Sequence, residues 1–130
     1  MALREGDVFE YVFDVGPQHS AKHVGSGDVE VLSTPSLILF MEEACLKYSQ
    51  EGLEEGKTTV GTRLDVYHVK AAPVNTKVKV RGRLLSVDGR RLLFWVEAFW
   101  KDVRIGYGLH ERFIVDKEKF ISKVREAIKG

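Results

Sequence analysis

Apolar residues follow two different periods along this chain, and the changes of period predict its secondary structure. The first stretch, VFEYVFDV from Val8 to Val15, is rich in β-branched and aromatic residues and is bounded by Gly6 and Gly16, which is typical of a strand. A polar, glycine-containing stretch, QHSAKHVGSGDVEVL, follows it and predicts a loop. The chain is therefore expected to begin with a strand and a long connection.

A helical period begins near Ser33 in the stretch STPSLILFMEEACLKYSQ. Ser33 or Thr34 suits the cap of this helix, and Gly52 ends the pattern. Pro35 suits the first turn, where no backbone donor is lost. The apolar positions recur at three- and four-residue spacing and form one stripe, made of Leu37, Phe40, Met41, Ala44 and Tyr48. We expect this stripe to lie against a core.

After EGLEEGK the apolar pattern switches to period two in four successive stretches: TTVGTRLDVYHVK, TKVKVRGRLLSV, RRLLFWVEAFWK and RIGYGLHERFIV. Asp88-Gly89 and Lys101-Asp102 predict two of the reversals, so we expect four strands in a meander. The last stretch, DKEKFISKVREAIKG, predicts a short helix. One long helix and five strands bury each other's apolar faces most simply when the helix lies across a curved antiparallel sheet, which is an α+β arrangement.

Composition narrows the class of protein. A length of 130 residues suits a single domain over residues 1–130, and the formal net charge of +1 gives no sign of nucleic-acid binding. No stretch has the apolar length of a signal peptide or a membrane span. The single cysteine, Cys45, cannot form an intramolecular disulfide. We therefore expect a cytoplasmic protein with no membrane partner.

Glu42 and Glu43 stand side by side in the apolar helix, but their helical neighbours differ. Glu43 has Lys47 four residues later, the favourable orientation for a solvated ion pair. The neighbours of Glu42 at these spacings are all apolar: Ile38, Leu39, Cys45 and Leu46. Such surroundings disfavour a charged carboxylate unless another element supplies a donor or a positive charge. The pattern nominates Glu42 for acid/base chemistry, with a glutamate that extends to solvent as the alternative.

His68 is the second candidate. Alternation in LDVYHV places His68 on the same face as Leu64 and Val66, which is the face expected to meet the helix. A lone histidine there is commonly a hydrogen-bonded core residue, whereas a neutral imidazole beside a half-buried glutamate makes a general base. We predict that His68 pairs with Glu42. The hydroxyl of Thr34, at the head of the helix, is either the N-cap or a part of the same site.

Two other groups of polar residues have patterns that suit binding. His19 and His23 have a spacing that suits a metal only on a helix with further ligands, so we expect a surface loop and no metal. Alternation in GYGLHERF places four residues on one face, namely Gly106, Gly108, His110 and Arg112. The glycines leave room for a helix or a ligand. Arg112 beside that space suits binding of a carboxylate or phosphate, or an interface.

The order of strand, long helix and further strands resembles the hot-dog fold, in which a curved antiparallel sheet wraps a central helix and two subunits join their sheets. Four stretches resemble fluoroacetyl-CoA thioesterase and its relatives: STPSLILFMEEACLKY, VGTRLDVYHVKAAPVNTKVKV, LLSVDGRRLLFWVEA and IGYGLHERFIVDKEKF. The resemblance runs from the first strand to the final helix. It implies a hot-dog domain with five strands, one long central helix and a short C-terminal helix.

In that family a threonine, a glutamate and a histidine form the active site, and they fall on Thr34, Glu42 and His68. The resemblance selects the same glutamate as the helix pattern. The family's glycine before the histidine-bearing strand matches Gly61, and the arginine of its HER segment matches Arg112. The resemblance implies that the backbone N–H of Gly61 helps polarise a thioester carbonyl and that Arg112 lies near the acyl pocket. The resemblance implies an acyl-CoA thioesterase that works as a homodimer with its sites at the subunit interface, without a metal or an organic cofactor.

One segment departs from the family. Fluoroacetyl-CoA thioesterase has a longer segment with bulky aromatic residues over the acyl group, whereas HVGSGDVEVL is shorter and has no aromatic residue. We therefore expect a short-chain or small aromatic acyl-CoA substrate. A hot-dog hydratase or dehydratase and a non-enzymatic acyl-CoA sensor or carrier stay open as alternatives. Direct attack by Thr34, attack by a water that Glu42 and His68 activate, and the pairing of dimers into tetramers also stay open.

Overall fold

The elements expected from the two hydrophobic periods are present in the computed structural model, which describes residues 3–130. In chain order they are β1 (Val8–Val15), α1 (Ala21–Val24), α2 (Thr34–Gly52), β2 (Lys57–His68), β3 (Thr76–Asp88), β4 (Arg91–Trp100), β5 (Val103–Asp116) and α3 (Lys117–Lys129), with a 3-10 turn at Pro17–His19. The predicted bounds of β1 are confirmed, and the predicted loop after it contains the single-turn helix α1. The two predicted reversals contain positive φ angles, 60° at Gly89 and 54° at Lys101.

The strands form one antiparallel sheet in the order β1-β3-β4-β5-β2. The predicted meander is right for β3, β4 and β5 but wrong for β2, which pairs with β5 at the far edge. The connection of seven residues, 69–75, crosses the end of the sheet. Seven extended residues span about 23 Å, which exceeds the roughly 14 Å between strands three places apart. Leu32 donates its backbone N–H to the carbonyl of Ala72 on this crossing, at 2.8 Å.

One side of α2 lies on the sheet, as the apolar stripe predicts. The buried residues of α2 are Ser36, Leu37, Phe40, Met41, Ala44, Cys45, Ser49 and Gly52, while Tyr48 is half-buried. Gly106 on β5 lets the helix come close, because a Cβ built there would stand 2.7 Å from Cδ2 of Leu37. The predicted space above the β5 glycines is thus used by the helix at this position.

The C-terminal helix α3 follows β5 directly and begins with Asp116, whose side chain accepts a hydrogen bond from the backbone N–H of Lys119. Its apolar side chains are exposed, and they are Phe120, Ile121, Val124 and Ile128. In the described part of the chain, no helix combines the length and the apolar content needed to cross a bilayer.

Candidate active site

Two adjacent hydroxyl groups stand at the start of α2, and they have different partners. Ser33 is the N-cap: its Oγ accepts a hydrogen bond from the backbone N–H of Ser36 at 3.1 Å. Thr34 is the first residue of the helix and is exposed, and its Oγ1 lies 2.8 Å from Nδ1 of His68. Because Ser33 already fills the cap, the hydroxyl of Thr34 is free to take part in chemistry.

His68 reaches Thr34 from the last residue of β2 and is half-buried. Burial lowers the pKa of His68 below its ordinary value of 6.5, so the ring is neutral at pH 7. The Nε2 atom is buried without a hydrogen-bond partner among the described residues. In the tautomer that carries its proton on Nε2, Nδ1 accepts the proton of the Thr34 hydroxyl. This is the geometry of a nucleophile beside its general base.

Glu42 lies about two helical turns further along α2 and faces the β2–β5 side of the sheet. Its Oε2 is 3.8 Å from Nη1 of Arg112, and 37% of its side chain is exposed. A Cβ built on Gly61 would stand 2.7 Å from the same oxygen, so the glycine leaves the space that the carboxylate occupies. The positive charge that Glu42 lacks on its own helix is therefore supplied by β5.

Arg112 is buried, and hydrogen bonds hold its guanidinium from two strands. Its Nε donates to Oγ1 of Thr59 at 2.8 Å, and its Nη2 donates to the carbonyl of Thr59 at 3.0 Å. Its Nη1 lies 3.1 Å from Nε2 of His110. The ring of His110 is fully buried, and its Nδ1 is 2.8 Å from the carbonyl oxygen of Arg63. Burial lowers the pKa of His110 below its ordinary value of 6.5.

Thr59 and His110 were not nominated as site residues from the sequence. Their contacts with Arg112 depend on the register of β2 against β5, which pairs Gly61 with Arg112 and Leu64 with His110. The only available signal was the alternation in GYGLHERF, which places His110 and Arg112 on one face of β5.

The predicted site residues form two groups within one chain. Thr34 and His68 make the first, and Glu42, Gly61 and Arg112 make the second. Across residues 3–130, no hydrogen bond or ion pair joins Glu42 to His68. The pairing predicted for these two residues is therefore not made inside a single chain. His68 lies beside Thr34 at the start of α2, and Glu42 lies about 12 Å further along the helix.

The predicted ion pair between Glu43 and Lys47 is likewise not formed in the described region. The ammonium group of Lys47 lies over two aromatic rings of β1 instead, 5.6 Å from the ring centroid of Tyr11 and 5.2 Å from that of Phe13. Such cation–π contacts compete with an exposed ion pair, which contributes little. The prediction from helix spacing was wrong because it left out the strand beside the helix.

The remaining histidines, His19 and His23, lie in the 3-10 turn and in α1. Nδ1 of His19 accepts a hydrogen bond from the backbone N–H of Gly16 at 2.9 Å, and its ring packs edge-on against Phe40. His23 belongs to α1 and is exposed. Residues 3–130 contain no group of three or more His, Cys, Asp or Glu side chains that is arranged to hold a metal.

A pocket of about 330 Å³ opens beside Thr34 and His68. One wall comes from the segment after α1, including Asp28 and Val29, and the other from the residues after β2, including Lys70. Its volume lies at the small end of the range for ligand sites, roughly 300–1,000 Å³. The pocket thus has room for a small group next to the hydroxyl–imidazole pair.

Comparison with known proteins places this chain in a family. The family model described as fluoroacetyl-CoA-specific thioesterase (FlK) matches residues 15–118. The fluoroacetyl-CoA thioesterase of Streptantibioticus cattleyicolor is 35% identical over an alignment of 130 positions, which covers 95% of this chain and 94% of that protein. The chain belongs to the FlK family. The resemblance found in the four sequence stretches is confirmed.

Solved structures agree with membership of the FlK family. A structure of the fluoroacetyl-CoA thioesterase FlK has a TM-score of 0.90 and 35% identity, covering 97% of this chain and 98% of that one. A Thermus thermophilus hypothetical protein, described as a thioesterase superfamily member, is 27% identical with a TM-score of 0.89, covering 99% and 96%. A hot-dog-like protein from Thermanaerovibrio acidaminovorans, 22% identical, shares the fold with a TM-score of 0.87 over 97% and 93%. The predicted hot-dog fold is confirmed, and a thioester hydrolase is favoured over a sensor or a hydratase.

Proposed function

We propose that this FlK family member is an acyl-CoA thioesterase that converts a short-chain or small aromatic acyl-CoA into the acid and free CoA. The observation that carries the proposal is the 2.8 Å contact between Oγ1 of Thr34 and Nδ1 of His68, in the wall of the pocket. The family supplies the class of reaction. The hydroxyl–imidazole pair supplies the nucleophile and the base that this reaction needs, whereas a sensor needs neither.

The same contact supports a route in which Thr34 attacks the thioester. Oγ1 of Thr34 bonds to the carbonyl carbon while His68 takes the hydroxyl proton through Nδ1. The C–S bond then breaks, and the proton passes from His68 to the thiolate sulfur of CoA. Water next adds to the threonyl ester, with His68 again taking a proton, and the acid leaves as Thr34 recovers its hydroxyl. Gly61 lies too far along β2 from His68 to act in the same chain, so its backbone N–H is proposed as an oxyanion donor supplied by a second copy.

We further propose that the enzyme is a homodimer in which β2 pairs with β2 of a second copy. This proposal is supported by the position of β2, a strand of 12 residues at the edge of the sheet. A long exposed edge strand invites pairing with another chain, and most homodimers are two-fold symmetric. Such pairing would also let Glu42 of one copy approach His68 of the other, a contact that is not made within one chain.

We place the two-fold axis of the proposed dimer at Asp65 of β2. The bulge between Gly61 and Arg63 adds one residue to β2 relative to β5. When this extra residue is left unpaired, an antiparallel pairing about Asp65 sets Gly61 of one copy opposite His68 of the other, on the same face of the sheet. Glu42 lies against Gly61, so this register carries the carboxylate of one copy toward the histidine of the other.

The activity is tested by free-thiol release from a panel of acyl-CoA thioesters. We expect turnover by the wild type, a loss of about 10²- to 10⁴-fold in Glu42→Gln, and little change in Glu43→Gln, its matched neighbour. Turnover of Glu42→Gln equal to that of Glu43→Gln would remove Glu42 from the site. No thiol release from any thioester would overturn the thioesterase, and hydration of enoyl-CoA or binding without turnover would then identify the alternatives.

The shared site is tested by mixing two inactive variants. Glu42→Gln and His68→Ala chains, co-expressed in equal amounts, should recover about a quarter of wild-type activity, since half the dimers are mixed and each mixed dimer has one intact site. A site contained in one chain would show no recovery. Light scattering on the wild type separates monomer, dimer and tetramer, and a monomer at assay concentrations would overturn the interfacial site.

A further inference from the structure

His110 is fully buried. One of its ring nitrogens lies beside an obligate hydrogen-bond acceptor and the other beside an obligate donor. Nδ1 is 2.8 Å from the carbonyl oxygen of Arg63, which only accepts. Nε2 is 3.1 Å from Nη1 of Arg112, which only donates. These two partners require a neutral ring with its proton on Nδ1. A protonated ring would point an N–H at the guanidinium and lose this hydrogen bond.

The two partners of His110 belong to the two parts of the site around Glu42. The carbonyl of Arg63 lies at the bulge of β2, one residue beyond the break in register that follows Gly61. Bulges near active sites commonly re-aim the residues beside them. Nη1 of Arg112 is the guanidinium nitrogen that lies 3.8 Å from the carboxylate of Glu42. The ring therefore connects the bulge at Gly61 with the cation at Glu42.

The other contacts around Arg112 and His110 do not replace the hydrogen bond between Nη1 of Arg112 and Nε2 of His110. Thr59 binds Nε and Nη2 of Arg112, so it fixes the opposite side of the guanidinium. From β4, Phe94 packs near the ring of His110 with 6.4 Å between centroids and offers no hydrogen bond. Among the described residues, Nε2 of His110 is the hydrogen-bond acceptor for Nη1.

We propose that His110 is a positioning residue of the thioesterase site, which holds Arg112, and through it the carboxylate of Glu42, by accepting a hydrogen bond on Nε2. The inference rests on the proposed function and names a residue that acts through others without touching substrate. The charged groups whose fields act on the ring are Arg112 and Glu111 from β5 and Glu42 from α2, and the carboxylate of Glu111 itself binds Arg91 and Thr62. β2 contributes the carbonyl of Arg63.

Two variants separate the two hydrogen bonds of the ring. In His110→Gln, the side-chain oxygen reaches the position of Nε2 and accepts from Arg112, while the hydrogen bond to Arg63 is lost. In His110→Asn, the side-chain nitrogen takes the position of Nδ1 and donates to Arg63, while the acceptor for Arg112 is lost. Both variants put an amide of similar polarity into the same buried space, so a purely structural role would affect them alike.

The expected result is a loss of kcat in His110→Asn of about 10- to 100-fold, the cost of a small displacement at a site, with KM changed far less. His110→Gln should recover most of this loss. In the Glu42→Gln background, His110→Asn should cause little further loss, because the two residues act in one chain of contacts. Equal kcat losses in Asn and Gln, or an undiminished loss in the Glu42→Gln background, would overturn the proposal.

Nitrogen NMR of the Arg112 side chain gives a readout that does not depend on turnover. We expect resolved, slowly exchanging Nη signals in the wild type and in His110→Gln, and their loss in His110→Asn. If His110→Asn does not fold, the wild type is titrated to acid pH, where protonation of His110 should remove the same signals before unfolding. Signals that persist in every case would overturn the positioning role, whereas absent thiol release in the wild type would overturn the thioesterase itself.

Discussion

At the scale of single residues, Ser33 and Thr34 divide two tasks that either hydroxyl is able to perform. Both are favoured at a helix N-cap, and only the backbone angles decide which residue fills it. Ser33 takes the extended conformation, with φ at −73° and ψ at 153°, and caps the helix. Thr34 is thereby left to contact His68.

This division predicts opposite effects for two neighbouring substitutions. Ser33→Ala should lower the free energy of unfolding by about 1 kcal/mol, because it removes the cap. Thr34→Ala should leave the free energy of unfolding nearly unchanged and abolish most thiol release, whereas Thr34→Ser should keep it. Urea denaturation and the acyl-CoA assay measure the two quantities on the same samples. Full turnover by Thr34→Ala would instead favour attack by water.

The helix pattern was enough to nominate Glu42 as a site residue, but it did not predict that Arg112 is its ion-pair partner. The apolar neighbours of Glu42 on α2 are set by helix geometry, so the pattern singled it out from Glu43 before any strand was placed. The guanidinium of Arg112 comes from β5, and Gly61 comes from β2. Which strands meet, and in which register, depends on packing over the whole sheet, so periodicity alone does not give it.

At the scale of elements, β2 determines how the site is built. Its alternation identified a strand and placed His68 on the α2 face, but period two is the same for a strand that pairs with its neighbour in sequence and for one that does not. The connection between β2 and β3 passes over two strands, β4 and β5, so β2 lies at the edge of the sheet. This edge position exposes Gly61 and sets His110 next to the bulge.

Two glycines near this edge should respond differently to an added methyl group. In Gly108→Ala, the Cβ would stand 2.1 Å from the backbone carbonyl oxygen of Asp65, so β2 must move away from β5. We expect a loss of about 1–3 kcal/mol in the free energy of unfolding. In Gly61→Ala, the nearest atom is Oε2 of Glu42 at 2.7 Å, at the free end of a flexible side chain. The carboxylate should shift and kcat should fall about tenfold, with stability kept.

Urea denaturation and thiol release on both glycine variants check this pair. A Gly61→Ala protein with wild-type kcat would show that the position of the Glu42 carboxylate does not matter for turnover. A Gly108→Ala protein as stable as the wild type would show that β2 and β5 tolerate separation.

At the scale of the whole molecule, the candidate site contains two imidazole rings, the half-buried His68 and the fully buried His110, which are both neutral at pH 7 in the folded state. Burial lowers the pKa of His68 and of His110 below the ordinary value of 6.5. The unfolded chain therefore binds protons at these residues at a higher pH than the folded chain does. Folding and the geometry of the candidate site therefore both favour neutral rings at His68 and His110. The cytoplasmic location stays a prediction.

The consequence is a loss of stability in mildly acidic solution. As pH falls below 6.5, the unfolded state takes up protons first, so the free energy of unfolding decreases until the folded pKa of each ring is passed. His110, which is fully buried, contributes at most about 1.4 kcal/mol per pH unit. Carboxylates with lowered pKa, such as Glu111 and Asp7, add their losses only near and below their ordinary values of 4.5 and 3.8.

Urea denaturation between pH 7 and pH 5 isolates the part due to the histidines. We expect the free energy of unfolding of the wild type to decline across this range, and the decline to be smaller in His110→Gln, which has no ring to protonate at this position. Only the slopes are compared, because the substitution also changes the absolute stability. A wild type whose stability is constant from pH 6.5 to pH 5 would show that both rings titrate alike in the folded and unfolded chain. That result would contradict the inference that the folded state requires a neutral His110 ring.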